Sequence, residues 1–281
     1  MMFALKNKMV RLVVVFGITL FSGVYLYAQT EETYNIPNQA IFEDMGTNLW
    51  VGSYNKFRFA EKWIWDAQHH YRRSGTEGVP FVGRMSQFYN RHAITYVPNK
   101  SFNVTAGGVL RINFTPEPGN PNFKKTRLEP RFWHEYLFIM PYERFMLYHR
   151  LRFEHRWSKG NAFDADWIFR NRYRYKIYAF IPLNKPTLQP GTWYFIPDVE
   201  IIMQSGKAVV DSPLEDLRIY PQLGYIVNPR LKLGGGPMYT TGQRLSGGYQ
   251  YRQRIILRIN AYVSLDFRKF ETKLPPINFS D

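Results

Sequence analysis

The run RFMLYHRLRFEHRWSKGNAFDADWIFRNRYRYK, Arg144 to Lys176, decides the fold. In its first half Arg150, Arg152, Glu154 and Arg156 share one parity, while Phe145, Leu147, Leu151 and Phe153 share the other. After a polar break over 158–166, Arg170, Arg172, Arg174 and Lys176 alternate with Phe169, Tyr173, Tyr175 and Ile177. A β-strand sends successive side chains to opposite faces, so each run has one charged face and one apolar or aromatic face. Two folds use such a pattern. In a soluble sandwich the apolar face packs inward and charge meets water; in a transmembrane β-barrel the apolar face meets lipid and charge lines the lumen. Period alone does not choose between them.

The N-terminus and the composition do. Lys6, Lys8 and Arg11 flank an apolar run from Leu12 to Leu26, and the small Ala28 precedes the polar Thr30-Glu31-Glu32. A basic start, an apolar core of this length and a small residue at the cleavage point predict a removed secretory signal over 1–28. The run is short for a membrane helix, and beyond it no window approaches the roughly 18 apolar residues that such a helix needs. A mean hydropathy of −0.37 does not argue for a soluble protein, because only alternate residues of a barrel face lipid. The chain has no cysteine, which excludes a lipid-anchored cysteine, disulfides and thiolate metal sites. Aromatic residues make up 17% of the chain, as suits strands and the aromatic girdles of a barrel. The formal charge is +15, and +12 without Lys6, Lys8 and Arg11. A secreted chain meets no cytosolic nucleic acid, so the expected partners of this charge are outer-membrane lipid or lipopolysaccharide and small anionic solutes.

Further strands repeat the two-faced pattern. Trp63, Trp65, Ala67 and Tyr71 alternate with Asp66, Gln68, His70 and Arg72; Phe102 to Phe114 is long enough for a tilted span. In the last long run Ile255, Leu257, Ile259, Ala261, Val263, Leu265 and Phe267 oppose Arg252, Arg254, Arg258, Asn260, Ser264 and Asp266. Over 81–97 the facing is not legible. Short turns at 60–62, 98–100, 141–143 and 228–229, with a medium one at 183–190, interleave with loops expected at 74–80, 115–130, 158–166, 205–213 and 242–248. The loop 115–130 holds four prolines, which predicts that no strand crosses it. Alternating short and long connections are the habit of outer-membrane barrels. Eleven strands follow from Thr47 onward, and an even count requires one more within 30–46. The expected fold is therefore all-β, an antiparallel transmembrane barrel of about 12 strands (10–12). The expected organisation is a signal at 1–28, an N-terminal arm or short first strand at 29–46, the barrel at 47–270 and a tail at 271–281.

The order of motifs EPRFWHEY (129–136), RLRFEHR (150–156), FRNRYRY (169–175), DVE (198–200) and a closing Arg- and Gln-rich strand resembles the DUF2490 family of outer-membrane barrel proteins of Bacteroidota and Proteobacteria. The resemblance runs from about Leu49 to Phe267. It implies a fold and an outer-membrane location, and no activity or catalytic residues.

The residues themselves predict no enzyme. Outer-membrane hydrolases pair a His with a Ser two positions along the same strand, and none of His69, His70, His92, His134, His149 and His155 has that serine. No metal spacing and no cofactor motif is present. The sharper feature is the basic ladder expected in the lumen: Arg150, Arg152, Arg156, Arg170, Arg172, Arg174, Lys176, Arg252, Arg254 and Arg258. Charges two residues apart on a strand sit about 7 Å apart and repel unless neutralised. The candidate neutralisers are Glu135, Glu154, Asp198, Glu200 and Asp266. If they suffice, the ladder is a structural lattice; if not, arginine lines a narrow path for anionic solutes. A third reading is a non-transporting barrel whose outer loops bind another envelope protein, and a fourth is a periplasmic soluble sandwich.

Overall fold

The computed structural model describes residues 41–209, 213–244 and 247–268. All regular structure in them is β. The first seven strands are β1 (Ile41–Ala60), β2 (Trp63–Thr76), β3 (Val79–Asn99), β4 (Phe102–Phe114), β5 (Thr126–Pro141), β6 (Met146–Ser158) and β7 (Ile168–Pro182). Six follow: β8 (Trp193–Ile196), β9 (Asp198–Ser205), β10 (Leu214–Ile219), β11 (Gln222–Asn228), β12 (Leu231–Arg244) and β13 (Gly247–Asp266).

These thirteen segments form one closed barrel of eleven staves. β8 and β9 continue one another past Pro197; both pair with β7 on one side and with β11 and β10 on the other. β10 and β11 continue past Tyr220-Pro221, and both pair with β12. Proline lacks the N–H a ladder needs, so each of these two staves is interrupted where its proline falls. The count lies within the ten to twelve expected. The expected even number does not hold, because Ile41–Gly46 is the leading end of β1 and residues 29–40 lie outside the described ones. Every neighbour is antiparallel except the closing pair. β1 meets β13 in parallel, in register from Thr47↔Ile255 to Arg58↔Asp266. In a meander of eleven staves the first and last point the same way, so closure has to be parallel.

The connections fall at two ends. At the turn end lie 61–62, 100–101, 142–145, 183–192 and 229–230, and at the loop end 77–78, 115–125, 159–167, 206–213 and 245–246. The segregation is weaker than the sequence suggested. The hairpin at Glu77-Gly78 is tight, with Gly78 in the left-handed region at φ 72°, whereas 183–192 is long and folded back through Leu183 N–H to Trp193 O at 2.8 Å. The expectation that no strand crosses 115–130 is also corrected: β5 begins at Thr126 and carries Pro130 opposite Leu110. Pairing with β6 starts only at Arg131↔Arg156, so the missing N–H of Pro130 falls beyond that ladder.

The barrel is apolar outside and polar inside. Ile255, Leu257 and Ile259 of β13, and Phe132, Phe169 and Tyr173 around β5–β7, are exposed, while the opposite parity is buried. Along β3 the facing becomes legible: Tyr89, Arg91, Ala93, Thr95 and Val97 are buried and His92 and Ile94 exposed. A bulge hides this in the sequence. Arg72 pairs with Gln87 but Arg73 with Met85, so Ser86 is an extra residue that shifts the parity of everything before it.

Three layers fill the interior. At the turn end Ile64, Val97, Leu137, Ile139, Tyr148, Tyr178, Phe180, Tyr194, Ile196 and Ile226 make one apolar cluster. Tyr148 and Tyr194 are 0% exposed, and the Tyr148 and Tyr178 rings stack 4.8 Å apart. Gly224 makes room for it, since a Cβ there would lie 2.2 Å from the Tyr194 ring. The strands also approach closely at Gly235, where a Cβ would lie 2.5 Å from the Arg258 carbonyl oxygen. The middle layer is ionic, and at the loop end the interior opens into a cup.

Candidate functional site

Strand alternation delivers the charges of the middle layer, and register decides how they meet. Across β5, β6 and β7, Arg152 stands between Glu135 and Arg174, and Glu154 stands opposite Arg172. Several opposed pairs are like-charged: Arg131 with Arg156, Arg150 with Lys176, Arg156 with Arg170. Carboxylates on the diagonals resolve this. Glu154 accepts from Arg131 at 2.9 Å, Arg172 at 3.3 Å and Arg174 at 2.6 Å. Glu200 accepts from Arg150 at 2.7 Å, Arg174 at 2.8 Å and Arg218 at 3.4 Å. Glu129 holds Arg131 at 2.6 Å, Arg156 at 3.1 Å, and Arg111. Glu215 holds Arg156 at 2.9 Å, and Arg172. Glu135 takes Arg152 at 2.5 Å and Arg150 at 3.5 Å, and Lys176 pairs with Asp198. A guanidinium fork offers five donors, which is why arginine bridges several carboxylates at once.

Nine cations and seven carboxylates are joined in these pairs when Arg218 with Asp216 at 2.8 Å is included. Buried ions cost several kcal/mol each to desolvate, so such a layer persists only when almost every charge is matched. Aromatic rings fill the remainder: the Arg152 guanidinium lies 4.5 Å from the centre of the Trp133 ring and that of Arg91 5.2 Å from it.

Of the ten cations expected in the ladder, six are neutralised here: Arg150, Arg152, Arg156, Arg172, Arg174 and Lys176. Arg258 is not matched by a carboxylate; it donates to the Tyr54 hydroxyl at 2.8 Å and lies 4.5 Å from the Tyr220 ring centre. Among the expected acids, Glu135, Glu154, Asp198 and Glu200 are in the lattice. Asp266 is not. It sits at the end of β13 by the turn end, half-exposed, and holds Arg268 at 2.5 Å. At the rim it pairs with Arg268, two residues on, in place of the ladder.

Glu129 and Glu215 were missed by sequence reasoning. Glu129 shares the parity of Arg131 and Glu135, and was concealed by the belief that Pro130 stops the strand. Glu215 lies at a bulge: Leu214 pairs with Met203 and Asp216 with Ile202, leaving Glu215 as the extra residue that no period-two pattern would assign.

The loop-end cup has a volume of about 410 Å³. Ten arginines line it, against Glu215 and Asp216 as the only acids among its lining residues. Four of the ten, Arg111, Arg156, Arg172 and Arg218, belong to the lattice below. The other six have no carboxylate within ion-pair distance among the described residues. Arg72 donates to Gln87 Oε1 at 3.3 Å and the Tyr89 hydroxyl at 3.2 Å and stacks 3.5 Å over Trp50. Arg170 has only Gln204 Oε1 at 3.3 Å and Ser158 Oγ at 3.5 Å, and Arg127 the carbonyl of Lys159. Arg84, Arg252 and Arg254 complete the set.

The histidines do not converge on this cup. His69, His92, His134, His149 and His155 share the outward parity with apolar and aromatic residues, and His134 stacks on Phe153 at 4.9 Å. His70 is inside, edge-on to Tyr54 at 4.9 Å. Among the described residues no group of His, Asp and Glu is arranged to hold a metal ion.

A family model described as "Protein of unknown function (DUF2490)" matches residues 47–253. No curated protein and no solved structure matches the chain.

Proposed function

The chain belongs to the DUF2490 family, and from the barrel it builds we propose an outer-membrane protein that does not conduct and that works at its open loop end. The observation that carries this reading is the closed turn end. An ion crossing the barrel would have to leave water and pass the close-packed apolar layer around Tyr148, Tyr178, Phe180 and Tyr194, at a cost of several kcal/mol, and the Lys176 and Lys232 ammonium groups beside Tyr178 and Phe180 add repulsion for any cation. The lattice above it is filled as well, leaving a gap of about 60 Å³ among its arginines. The lipid location is supported by the exposed apolar parity, which is far larger than the scattered apolar residues of a soluble surface. The basic, apolar and small-residue sequence at 1–28 supports export. We assign no catalytic role.

The detergent-extracted full chain, placed in planar bilayers under a salt gradient, is expected to show no current above the lipid background. A steady anion-selective conductance that falls in Arg170→Gln and Arg174→Gln would overturn the reading in favour of a narrow anion channel. Heat-modifiable gel mobility and a need for detergent check the membrane location; a chain that stays soluble without detergent would sink it.

A second reading, a barrel that partners another envelope protein, is favoured by one observation. The loops 115–125 and 159–167 are stitched together by the Phe123↔Ala162 bridge and by Lys124 N–H to Asn161 O at 2.9 Å. They leave Phe163 and Trp167 largely exposed. Co-purification that is lost in the Phe163→Ala, Trp167→Ala double variant would favour it.

A further inference from the structure

We propose that the loop-end cup is a binding site for a small solute bearing at least two phosphate groups; this rests on the barrel being open at that end only. Six arginines carry the argument: Arg72, Arg84, Arg127, Arg170, Arg252 and Arg254. They come from β2, β3, β5, β7 and β13, so they approach one enclosed volume from several sides of the wall. A solvated basic stripe would spread along one surface; these converge.

The contrast with the lattice below makes the surplus significant. There, eight arginines and Lys176 are answered by carboxylates, while Arg91 and Arg258 rest on aromatic rings, Gln68 and the Tyr54 hydroxyl. In the cup no described carboxylate answers these six; the Nε atoms of Arg72, Arg127, Arg170 and Arg254 are buried without a protein hydrogen-bond acceptor, as are those of Arg111 and Arg150 in the lattice, so the lack of carboxylates is what sets the cup apart. Buried donors are normally satisfied, and the exceptions mark a missing partner. Six guanidinium groups without a carboxylate suit a partner that is anionic and rich in acceptors.

Charge density selects phosphate. With Arg111, Arg156, Arg172 and Arg218 already matched in the lattice, six arginines are left uncompensated around a volume of about 410 Å³. A phosphate monoester carries roughly 1.5 to 2 negative charges and three acceptor oxygens, and its oxygens match the guanidinium fork. A monocarboxylate brings one charge in comparable space. Arg72 already covers the Trp50 ring at 3.5 Å and the Tyr89 ring at 4.2 Å, so neither is free as a platform for a base. The ligand is therefore a compact polyphosphate or phosphorylated polyol, or the phosphorylated headgroup of a lipid that reaches over the rim.

Isothermal titration of the detergent-solubilised full chain with inorganic triphosphate tests this. Binding is expected, to weaken as salt is raised, and to weaken about tenfold or more in the Arg252→Gln, Arg254→Gln double variant, since charge-assisted hydrogen bonds are being removed. Unchanged heat-modifiable mobility of the double variant shows that it still folds, and Lys185→Gln at the turn end should leave binding as it was. No binding of triphosphate, or binding that the double variant does not alter, overturns the proposal. Repeating the titration in nanodiscs that contain a phosphorylated glycolipid separates the two sources: loss of triphosphate binding assigns the headgroup, and retention assigns a soluble solute. A conducting barrel that still bound triphosphate would remove the non-conducting reading and keep the cup; a silent barrel that bound none would do the reverse.

Discussion

The arginines of the middle layer and those of the cup share the inner face of the wall, and on β5 and β7 the same strand, yet they live in opposite circumstances. Arg172 and Arg174 on β7 are held by Glu154, with Glu215 or Glu200 completing each. Arg170, two residues earlier on that strand, has a glutamine and a serine. The strand supplies one charge every other residue regardless of depth, whereas the carboxylates supply compensation only in the middle. Position along the barrel axis, and not residue type, separates a structural arginine from an available one.

That comparison is broken most severely by removing a lattice acid. Glu154→Gln leaves Arg131, Arg172 and Arg174 short of their shared carboxylate, and should cost about 3–5 kcal/mol, as expected when one partner of a buried pair is deleted. Urea unfolding followed by loss of the heat-modifiable band measures it; a cost below about 1 kcal/mol would mean that the layer is hydrated and loosely held. Glu215→Gln, at the boundary with the open cup, should cost less, about 1–3 kcal/mol, because it answers two arginines, Arg156 and Arg172, where Glu154 answers three. The same variant should strengthen triphosphate binding, since it removes one of the two acids that line the cup. Smallest, and opposite in sign, is the Arg252→Gln, Arg254→Gln pair. It relieves repulsion between like charges, so stability should be unchanged or rise by about 0.5 kcal/mol at low salt, with the gain vanishing as salt is added. A loss of more than 1 kcal/mol would show that these two arginines have partners after all.

The legible part of this molecule was the part governed by period two. Arg150 to Lys176 could be sorted into two faces because no bulge interrupts β6 or β7, and the inward acids Glu135, Glu154, Asp198 and Glu200 followed from the same counting. Counting failed wherever a strand contains one residue too many. Ser86 reverses the parity of β3, and Glu215 sits in a bulge of β10, so neither Arg84 nor Glu215 could be given a face. Pro130 misled for another reason: whether a proline breaks a strand depends on where the neighbouring ladder ends, and that is a property of β6 rather than of Pro130. The division between lattice and cup was illegible for the most general reason. It depends on which residues of different strands stand at the same height, and register between strands is not written in any one of them.

The parallel seam between β1 and β13 has a bearing on how the chain is addressed from either side. An even-staved barrel begins and finishes at one rim. Here Ile41 stands beside Gln250 near the loops while Asp266 stands beside Arg58 near the turns, so the chain enters the wall at the rim of the cup and leaves it at the sealed rim. Ile41 and Asp266 therefore stand at opposite rims, so labels placed on these two residues would report from opposite faces of the same wall.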